Sequence, residues 1–383
     1  MQIEEKRVGI ITLGKNYLFT NYGTFFQHLA LRKYVSELGF SCGRIPRRSD
    51  TTYESRAIWR VIRRIFSCLW HVVHTKVGAK EELRMVVCYI IQALHFENSY
   101  KCLLGDGALD VKIDEFSNII VGGDQVFGGT DDAQFGVGRR ENCNIISYAV
   151  SGDWVQLSCD SEWMARADKE LRHFDAIAVR ERMGVELLDN NLQLDKRVVR
   201  VCDPVFLQPK EFYNDKVSAK KIFARPTLLC YLLNLREKKD FDLERYASVA
   251  DKLGVELKIV GIQGAERYIP FRYWCVPKPL DFIRMIRDAD YVVTNSFHGV
   301  CFTLMFEKRF ACLSQHEIAN CGQNVRSKEL LERLGLFGSL LGADSSVDSI
   351  VHTLKNPVDY AKVGSVLESE REFSRNWLKE ALV

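Results

Sequence analysis

The chain has 383 residues, of which 47% are hydrophobic and 27% are charged. These values are typical of a globular protein, and the length suits two domains of ordinary size. The 53 basic residues exceed the 50 acidic ones by three, a balance that excludes nucleic acid as the main partner. The longest apolar runs are too short to span a bilayer, and the charged residues that follow Met1 are unlike a secretory signal. We therefore expect a cytoplasmic protein.

Short β-rich runs alternate with helical runs, which predicts an α/β fold with mostly parallel sheets. The first series has a strand over 7–13, a helix over 21–38 that ends at Gly39, and strands over 116–123, 144–150, 175–180 and 197–201. The second series has strands over 227–233, 256–262, 291–295 and 310–314, and helices over 240–253, 279–288 and 299–307. Segment 56–95 interrupts the alternation and is predicted to form two inserted helices.

The weakest connection between the two series is 203–226, which is rich in proline and lysine. We place a domain boundary there, with one Rossmann-like domain over 1–208 and a second over 209–383. Two such domains in series form a cleft between them. Ligands of α/β folds bind at the carboxyl ends of the strands, so the cleft is where we expect the site.

The motifs of the common nucleotide-binding and hydrolytic enzymes are missing. There is no complete G-x-x-x-x-G-K-[ST], no G-x-G-x-x-G after the first strand, no H-E-x-x-H and no G-x-S-x-G. The 12 cysteines include no C-x-x-C pair, which disfavours a zinc ribbon or a thioredoxin-like site. We therefore predict neither a metal site nor a bound cofactor.

The most informative segment is 288–306, where a buried strand runs into Asn-Ser-Phe-His-Gly and then into an apolar helix. This pattern places His298 at a strand-to-helix turn, beside free backbone N–H groups that favour anions. Ser296 and Gly299 flank it, and glycine permits close approach to the backbone. A histidine satisfied by local hydrogen bonds is the alternative, but the position at a strand end favours a functional role.

Two arginines are candidates for gripping an anion. Arg180 ends the strand 175–180 and can bind a carboxylate or phosphate with two hydrogen bonds, unless it only pairs with Glu181. Arg326 lies near the start of the amphipathic helix predicted over 324–336, where the helix dipole does not favour a cation. An anionic ligand would explain that position, whereas a solvent-facing arginine is the alternative.

At these residues the chain resembles the polysaccharide pyruvyl transferase family, and the likeness extends over most of its length. Seven blocks appear in the family's order, which is far stronger evidence than any one of them. The blocks are 21–34 (NYGTFFQHLALRKY), 119–129 (IIVGGDQVFGG), 145–152 (IISYAVSG), 177–188 (IAVRERMGVELL), 202–207 (CDPVFL), 288–310 (DADYVVTNSFHGVCFTLMFEKRF) and 324–336 (NVRSKELLERLGL). Gly123, Phe127 and Arg309 stand where the family often has Ser, Trp and Pro. None of these departures removes a candidate arginine or histidine.

The resemblance implies two Rossmann-like domains facing across a cleft, as in GT-B glycosyltransferases. It also implies transfer of the pyruvyl group of phosphoenolpyruvate to two hydroxyls of a sugar, in the synthesis of a bacterial capsule or exopolysaccharide. Phosphoenolpyruvate would be a co-substrate, bound on the side of the C-terminal domain, and the acceptor would lie on the N-terminal side. The alternatives are a GT-B glycosyltransferase that uses a sugar nucleotide, and a non-catalytic carbohydrate-binding relative. A mere binding protein has no need of two arginines and a histidine together.

The resemblance also assigns roles to residues. Arg180 and Arg326 would hold the donor's carboxylate and phosphate, together with Ser296 and Gly299, and His298 would be the general acid or the anchor of the phosphate. On the acceptor side, Asp124 and Gln125 lie at the polar tip of a glycine-rich turn after a strand, and Asp124 is also a candidate base. Asn21 would line the same crevice, although capping the first helix explains it better.

Segment 56–74 carries an amphipathic pattern. Its polar stripe has helical spacing and is made of Arg56, Arg60, Arg63, Ser67, His71 and His74, with Arg64 widening it, while the rest is apolar. Such a helix suits a membrane interface, which would bring the cleft to a lipid-linked acceptor at the inner face of the cytoplasmic membrane. Packing of the apolar face on the first domain is the alternative.

Overall fold

The computed structural model describes residues 7–13, 21–45, 66, 79–104, 112–128, 132–235, 240–262, 268–315 and 321–382. The amphipathic segment 56–74 lies outside the described residues except for Phe66. Both interpretations of that segment therefore stay predictions. None of the helices in the described ranges is both long and apolar enough to cross a bilayer.

The first sheet in the described chain is wholly parallel. Its strands are β1 (Arg7–Ile11), β2 (Ser41–Arg44), β3 (Asn118–Gly122), β4 (Asn144–Val150), β5 (Ala176–Val179) and β6 (Val198–Arg200). They lie in the order β2-β1-β3-β4-β5-β6, so the direction in which strands are added changes between β1 and β3. We call this sheet and the helices that cover it the N-terminal half.

The second sheet is also parallel. Its strands are β7 (Thr227–Leu233), β8 (Glu256–Ile262), β9 (Tyr291–Thr294), β10 (Arg309–Leu313) and β11 (Leu340–Leu341). They lie in the order β11-β10-β9-β7-β8, with the change of direction between β7 and β9, and they form the C-terminal half. All the predicted strands are confirmed. The edge strands β2 and β11 were not predicted, because they have only four and two residues and neither has a β-branched run.

Twelve α-helices accompany the sheets in the described ranges. They are α1 (Tyr22–Glu37), α2 (Ala79–Ser99), α3 (Trp154–Ser158), α4 (Ser161–Leu171), α5 (Arg182–Asn191), α6 (Lys210–Asn214), α7 (Leu243–Leu253), α8 (Pro279–Asp288), α9 (Phe297–Met305), α10 (Cys321–Arg333), α11 (Val347–Lys355) and α12 (Tyr360–Leu382). The predicted helices that fall on described residues are confirmed; of the two predicted in the insertion, α2 is the second, and the first stays a prediction. Helix α9 begins two residues earlier than predicted, because Ser296 caps it by accepting a hydrogen bond from the Gly299 N–H.

Three groups of buried apolar side chains form the core. One covers the outer face of each sheet, and the third runs through both halves. In this shared core, the Tyr22 ring of α1 stacks on Phe282 of α8 at 4.3 Å, and Tyr22 donates a hydrogen bond to the carbonyl of Pro277. Phe26, one turn along α1, meets Phe302 of α9 at 5.2 Å. The start of α1 is thereby fixed against the start of α9.

The last helix, α12, packs on the N-terminal half although it follows the C-terminal sheet in the chain. Asn144 on β4 donates a hydrogen bond to the carbonyl of Ala381, and the Cys202 N–H donates one to Ser374. The boundary predicted between residues 208 and 209 falls in the connection from β6 to β7 and stays a prediction.

Candidate active site

Charged side chains from both halves converge where the two sheets change direction. Asp124 follows β3, Arg180 follows β5, and His298 lies in the first turn of α9, directly after β9. Arg326, on α10, reaches the same place from the C-terminal half. The structure thus brings together four of the residues predicted from sequence, at the crevice where α/β folds bind ligands. We call the whole group the charged cluster; its members are Asp124, Arg180, Glu181, Asp203, His298 and Arg326.

Asp124 lies between the two arginines. Its Oδ1 is 2.8 Å from Nη1 of Arg326 and 3.6 Å from Nη2 of Arg180. Thr24 of α1 donates a longer hydrogen bond, 3.4 Å, to the other carboxylate oxygen. The two candidate anion grips therefore come one from each half and share a carboxylate.

Arg180 has two further carboxylate partners. Its Nε donates to Glu181 at 2.7 Å, and its Nη1 donates to Asp203. Glu181 is itself fixed, because Ser151 and the indole N–H of Trp154 donate to its two oxygens at 2.9 and 2.8 Å. Arg180 therefore does pair with Glu181, but it also lies in the crevice, and its role in gripping an anion stays a prediction.

An aromatic ring lies against both guanidinium groups. The ring centre of Phe297 is 4.3 Å from Cζ of Arg180 and 5.9 Å from Cζ of Arg326. Cations are attracted to an aromatic face at these distances. Phe297 therefore orients both arginines, a role that sequence analysis missed because it depends on contacts between the halves.

His298 lies between Asp203 and the start of α1. Its Nε2 is 3.4 Å from Oδ2 of Asp203, beyond an ordinary hydrogen bond, and its side chain is only 4% exposed. Gly23 packs against the other side of the imidazole. Sequence analysis did not single out Asp203, although its place directly after β6, inside the CDPVFL block, is a signal of the same kind as for Arg180.

The neighbouring cations keep the two buried aspartates ionised. Burial raises the pKa of Asp124, but Arg326 and His298 outweigh it and hold that pKa below its ordinary value. Burial likewise raises the pKa of Asp203, and His298 and Arg180 again reverse the effect. Burial lowers the pKa of Arg326, which Asp124 only partly offsets. While they are paired in this way, the two aspartates are weak proton acceptors.

Several buried polar atoms at the crevice make no hydrogen bond with any residue that the structure describes. They are Nη2 of Arg180, Nε of Arg326, Nε2 of His298, the amide of Gln27 and the hydroxyl of Tyr231. Gln27 lies beside the turn that carries Asp124, and Tyr231 lies beside Gly299. Buried polar atoms are nearly always hydrogen-bonded, so this concentration indicates a site for a polar ligand.

The other predicted site residues have local roles as well. Asn21 caps α1 by accepting a hydrogen bond from the Gly23 N–H, as the alternative interpretation proposed. The close approach that Gly299 permits is to Thr294 and Tyr231, where a β-carbon would lie 2.3 and 2.9 Å from their side chains. Gln125 is half-buried in the turn after β3. The binding roles of these residues and of Ser296 stay predictions.

The charged cluster is closed to solvent in this structure. All its members are less than 10% exposed, and Glu329 of α10 joins the halves nearby by accepting hydrogen bonds from the N–H groups of Arg182 and Met183 at 2.7 and 3.1 Å. An open cavity of about 630 Å³ lies elsewhere, along β6 and α12, and contains none of the cluster's residues. The unpaired polar atoms mark the site better than this cavity does. A ligand would reach the cluster when the halves move apart.

Gly23→Ala should separate the two halves locally. A β-carbon at this position would lie 2.0 Å from Nδ1 and 2.2 Å from Cγ of His298, so the imidazole or the start of α1 must move. We expect a loss of about 1–3 kcal/mol in the free energy of unfolding, measured with denaturant. Gly364→Ala, in α12 with nothing within 4 Å, is the matched control and should not destabilise the protein. A Gly23→Ala protein as stable as wild type would contradict the packing described here.

Comparison with known proteins agrees with this geometry. The sequence pattern of the polysaccharide pyruvyl transferase family matches residues 21–317. No curated protein matches the chain. Among solved structures, the UDP-GlcNAc 2-epimerase from Neisseria meningitidis bound to UDP-GlcNAc is 10% identical, with a TM-score of 0.50 over 96% of this chain and 98% of that one. The UDP-GlcNAc 2-epimerase from Methanocaldococcus jannaschii is 10% identical, with a TM-score of 0.47 over 92% of this chain and 93% of that one.

The likeness to the Neisseria protein shows the fold alone, and it confirms the predicted GT-B-like arrangement of two α/β units. The family pattern covers more than half of the chain and includes His298 and Arg180. The protein is therefore a transferase that belongs to the polysaccharide pyruvyl transferase family.

Proposed function

We propose that the protein transfers the pyruvyl group of phosphoenolpyruvate onto two hydroxyls of a sugar, forming a cyclic ketal on a bacterial capsule or exopolysaccharide. The observation that carries this proposal is the pair of buried arginines, one from each half, beside an equally buried histidine. Family membership supports the same conclusion. A neutral sugar needs no such pair, whereas a donor with a carboxylate and a phosphate needs two cationic grips.

Arg180 and Arg326 suit the donor because a guanidinium binds a carboxylate or a phosphate with two parallel hydrogen bonds. Each has a buried N–H group without a hydrogen bond in the described structure. Phe297 holds both in place, which reduces the cost of ordering them when the donor binds. Positioning of donor and acceptor in a closed cleft would supply much of the rate enhancement.

The chemistry requires a proton donor. The methylene carbon of phosphoenolpyruvate gains a proton while one sugar hydroxyl bonds to the adjacent carbon. The C–O bond to phosphate then breaks, phosphate leaves with the bonding electrons, and the second hydroxyl closes the ring. Of the two hydroxyl protons released, one balances the proton taken up by the methylene carbon, and the other leaves with phosphate or solvent. We assign the proton donation, or the anchoring of the phosphate, to His298, and its orientation to Asp203.

The acceptor would lie against the turn after β3, where Asp124 and Gln125 would contact its hydroxyls. Asn21, which caps the start of α1, would line the same crevice. A lipid-linked oligosaccharide is the acceptor form we propose, with segment 56–74 contacting the inner face of the cytoplasmic membrane. Liposome flotation with anionic lipid checks this last step, since Arg60→Glu with Arg63→Glu should release the protein.

Phosphoenolpyruvate should stabilise the protein against heat. Binding to the folded state alone raises the melting temperature progressively with ligand concentration. In a coupled assay, we also expect phosphate release that depends on the acceptor, within a panel of galactose-, mannose- and glucose-terminated glycans. A shift with a sugar nucleotide, and none with millimolar phosphoenolpyruvate, would instead support the glycosyltransferase alternative.

A further inference from the structure

The charged cluster has no positive charge to spare. Even when His298 is counted as a cation beside the two arginines, its positive groups only balance three buried carboxylates, those of Asp124, Glu181 and Asp203. An anionic donor entering this arrangement would create an excess of negative charge in a place shielded from water, where charges interact strongly. One carboxylate must therefore lose its ion pairs with the arginines when the donor binds.

Two of the three carboxylates are held by other groups. Glu181 accepts hydrogen bonds from Ser151 and Trp154, and Asp203 accepts one from the backbone N–H of Val205 at 2.9 Å. Displacing either would leave those donors unpaired in the interior, which is costly. We therefore expect these two carboxylates to stay in place when the donor binds.

The side chain of Asp124 is held differently. Apart from the two arginines, the 3.4 Å hydrogen bond from Thr24 is the only one that its carboxylate accepts from the described residues. Its main chain is fixed, because its carbonyl accepts hydrogen bonds from Val126 and Ser151 at 2.8 Å each. The residue also has a φ of 45°, a left-handed conformation that is uncommon outside glycine and is often found at functional sites. The carboxylate can therefore turn away while the backbone stays in place.

We propose that the Asp124 carboxylate occupies the place between Arg180 and Arg326 that the donor's carboxylate takes, and that donor binding displaces it toward the acceptor. This inference rests on the proposed function. It makes Asp124 a placeholder that keeps two arginines aligned in the empty site without an anion from solution. It also couples the two substrates, since the base for the acceptor hydroxyl is released only when the donor is in position.

The electrostatics support this coupling. The charged groups that act on Asp124 are Arg326, His298, Arg180 and Asp203. The three cationic groups lower the pKa of Asp124, so the paired carboxylate is a poor base. Once it leaves the arginines, those stabilising contacts are lost and its pKa rises. The displaced carboxylate is then a stronger base for the acceptor hydroxyl.

Asp124→Asn tests the placeholder, because asparagine has the same shape without the charge. The probes are oxalate, a small dicarboxylate that needs no catalysis, and phosphoenolpyruvate, both measured by titration calorimetry. We expect oxalate to bind about tenfold more tightly or better, since removing a competing buried charge pair is worth at least one factor of ten. Turnover at saturating phosphoenolpyruvate should fall.

Glu370→Gln is the matched control. Glu370 also lies between two arginines, Arg200 and Arg333, at 2.9 and 2.5 Å, but outside the cluster. The Glu370→Gln substitution should leave the affinity of the protein for oxalate unchanged. Thr24→Val, which frees the Asp124 carboxylate without changing any charge, should tighten oxalate binding by a smaller factor and provides the test if Asp124→Asn fails to fold.

The outcomes separate this inference from the proposed function. The placeholder proposal is wrong if oxalate binds the Asp124→Asn protein no more tightly than it binds wild type. It is also wrong if oxalate binds neither protein. If wild type also turns over phosphoenolpyruvate in that case, the proposed function stands alone. If oxalate binding tightens but phosphoenolpyruvate neither binds nor releases phosphate, the placeholder holds and the donor is a different carboxylate.

Discussion

Arg180→Met should lower the free energy of unfolding by about 3–5 kcal/mol, because removing one partner of a buried ion pair leaves uncompensated charge in the interior. Here the effect is large since Glu181, Asp203 and Asp124 all depend on the same guanidinium, which is 4% exposed. Equilibrium denaturation in urea measures the loss. Methionine is chosen because it fills a similar volume, so that the missing charge rather than a cavity is tested.

The matched control for this change is two residues away. Arg182 has a side chain that is 81% exposed and pairs with Glu186 one turn along α5. Because exposed pairs of this kind contribute little, Arg182→Met should change the stability by less than about 0.5 kcal/mol. Equal losses for the two variants would mean that the cluster around Arg180 does not form.

His298→Ala should reduce turnover by about 10²–10⁴-fold, the contribution typical of a general acid. Folding should suffer much less, because Asp203 keeps its bonds to Arg180 and to the Val205 N–H when the imidazole is lost. The two quantities are measured separately, as phosphate release per folded molecule and as thermal melting. His352→Ala, at an exposed position of α11, is the control and should alter neither.

The opposite pattern would assign His298 a different role. If the variant unfolds but the folded fraction keeps its activity, the histidine is a structural element that fills the space between Gly23 and Asp203. If activity is lost and the affinity for phosphoenolpyruvate falls in parallel, His298 anchors the phosphate rather than donating a proton.

Sequence analysis predicted the strands well because both sheets are parallel and buried on both faces. Strands of that kind are continuous apolar runs bounded by polar residues, and the runs 144–150, 227–233 and 256–262 match β4, β7 and β8 residue for residue. Edge strands and the helices after 340 lack so clear a pattern. Their positions depend on packing against parts of the chain that are distant in sequence.

The same distinction applies to the site. His298, Arg180 and Asp124 each directly follow a predicted strand or the turn after it, so the rule that ligands bind at strand ends could identify them. Phe297 and Gly23, which pack against them, could not be identified in this way. Phe297 contacts an arginine from each half, and Gly23 is needed only because His298 packs on it. Contacts between residues so far apart in the chain leave no periodic pattern in the sequence.

The return of α12 to the N-terminal sheet has a consequence for synthesis of the chain on the ribosome. The Asn144 side chain and the Cys202 N–H find their partners in Ala381 and Ser374, which follow them in the chain by 237 and 172 residues. Domains usually fold as units in the order of synthesis. Here the surface of the first half that α12 covers stays open until the second half has been made. Chaperones that bind exposed apolar surface would have their longest opportunity during that interval.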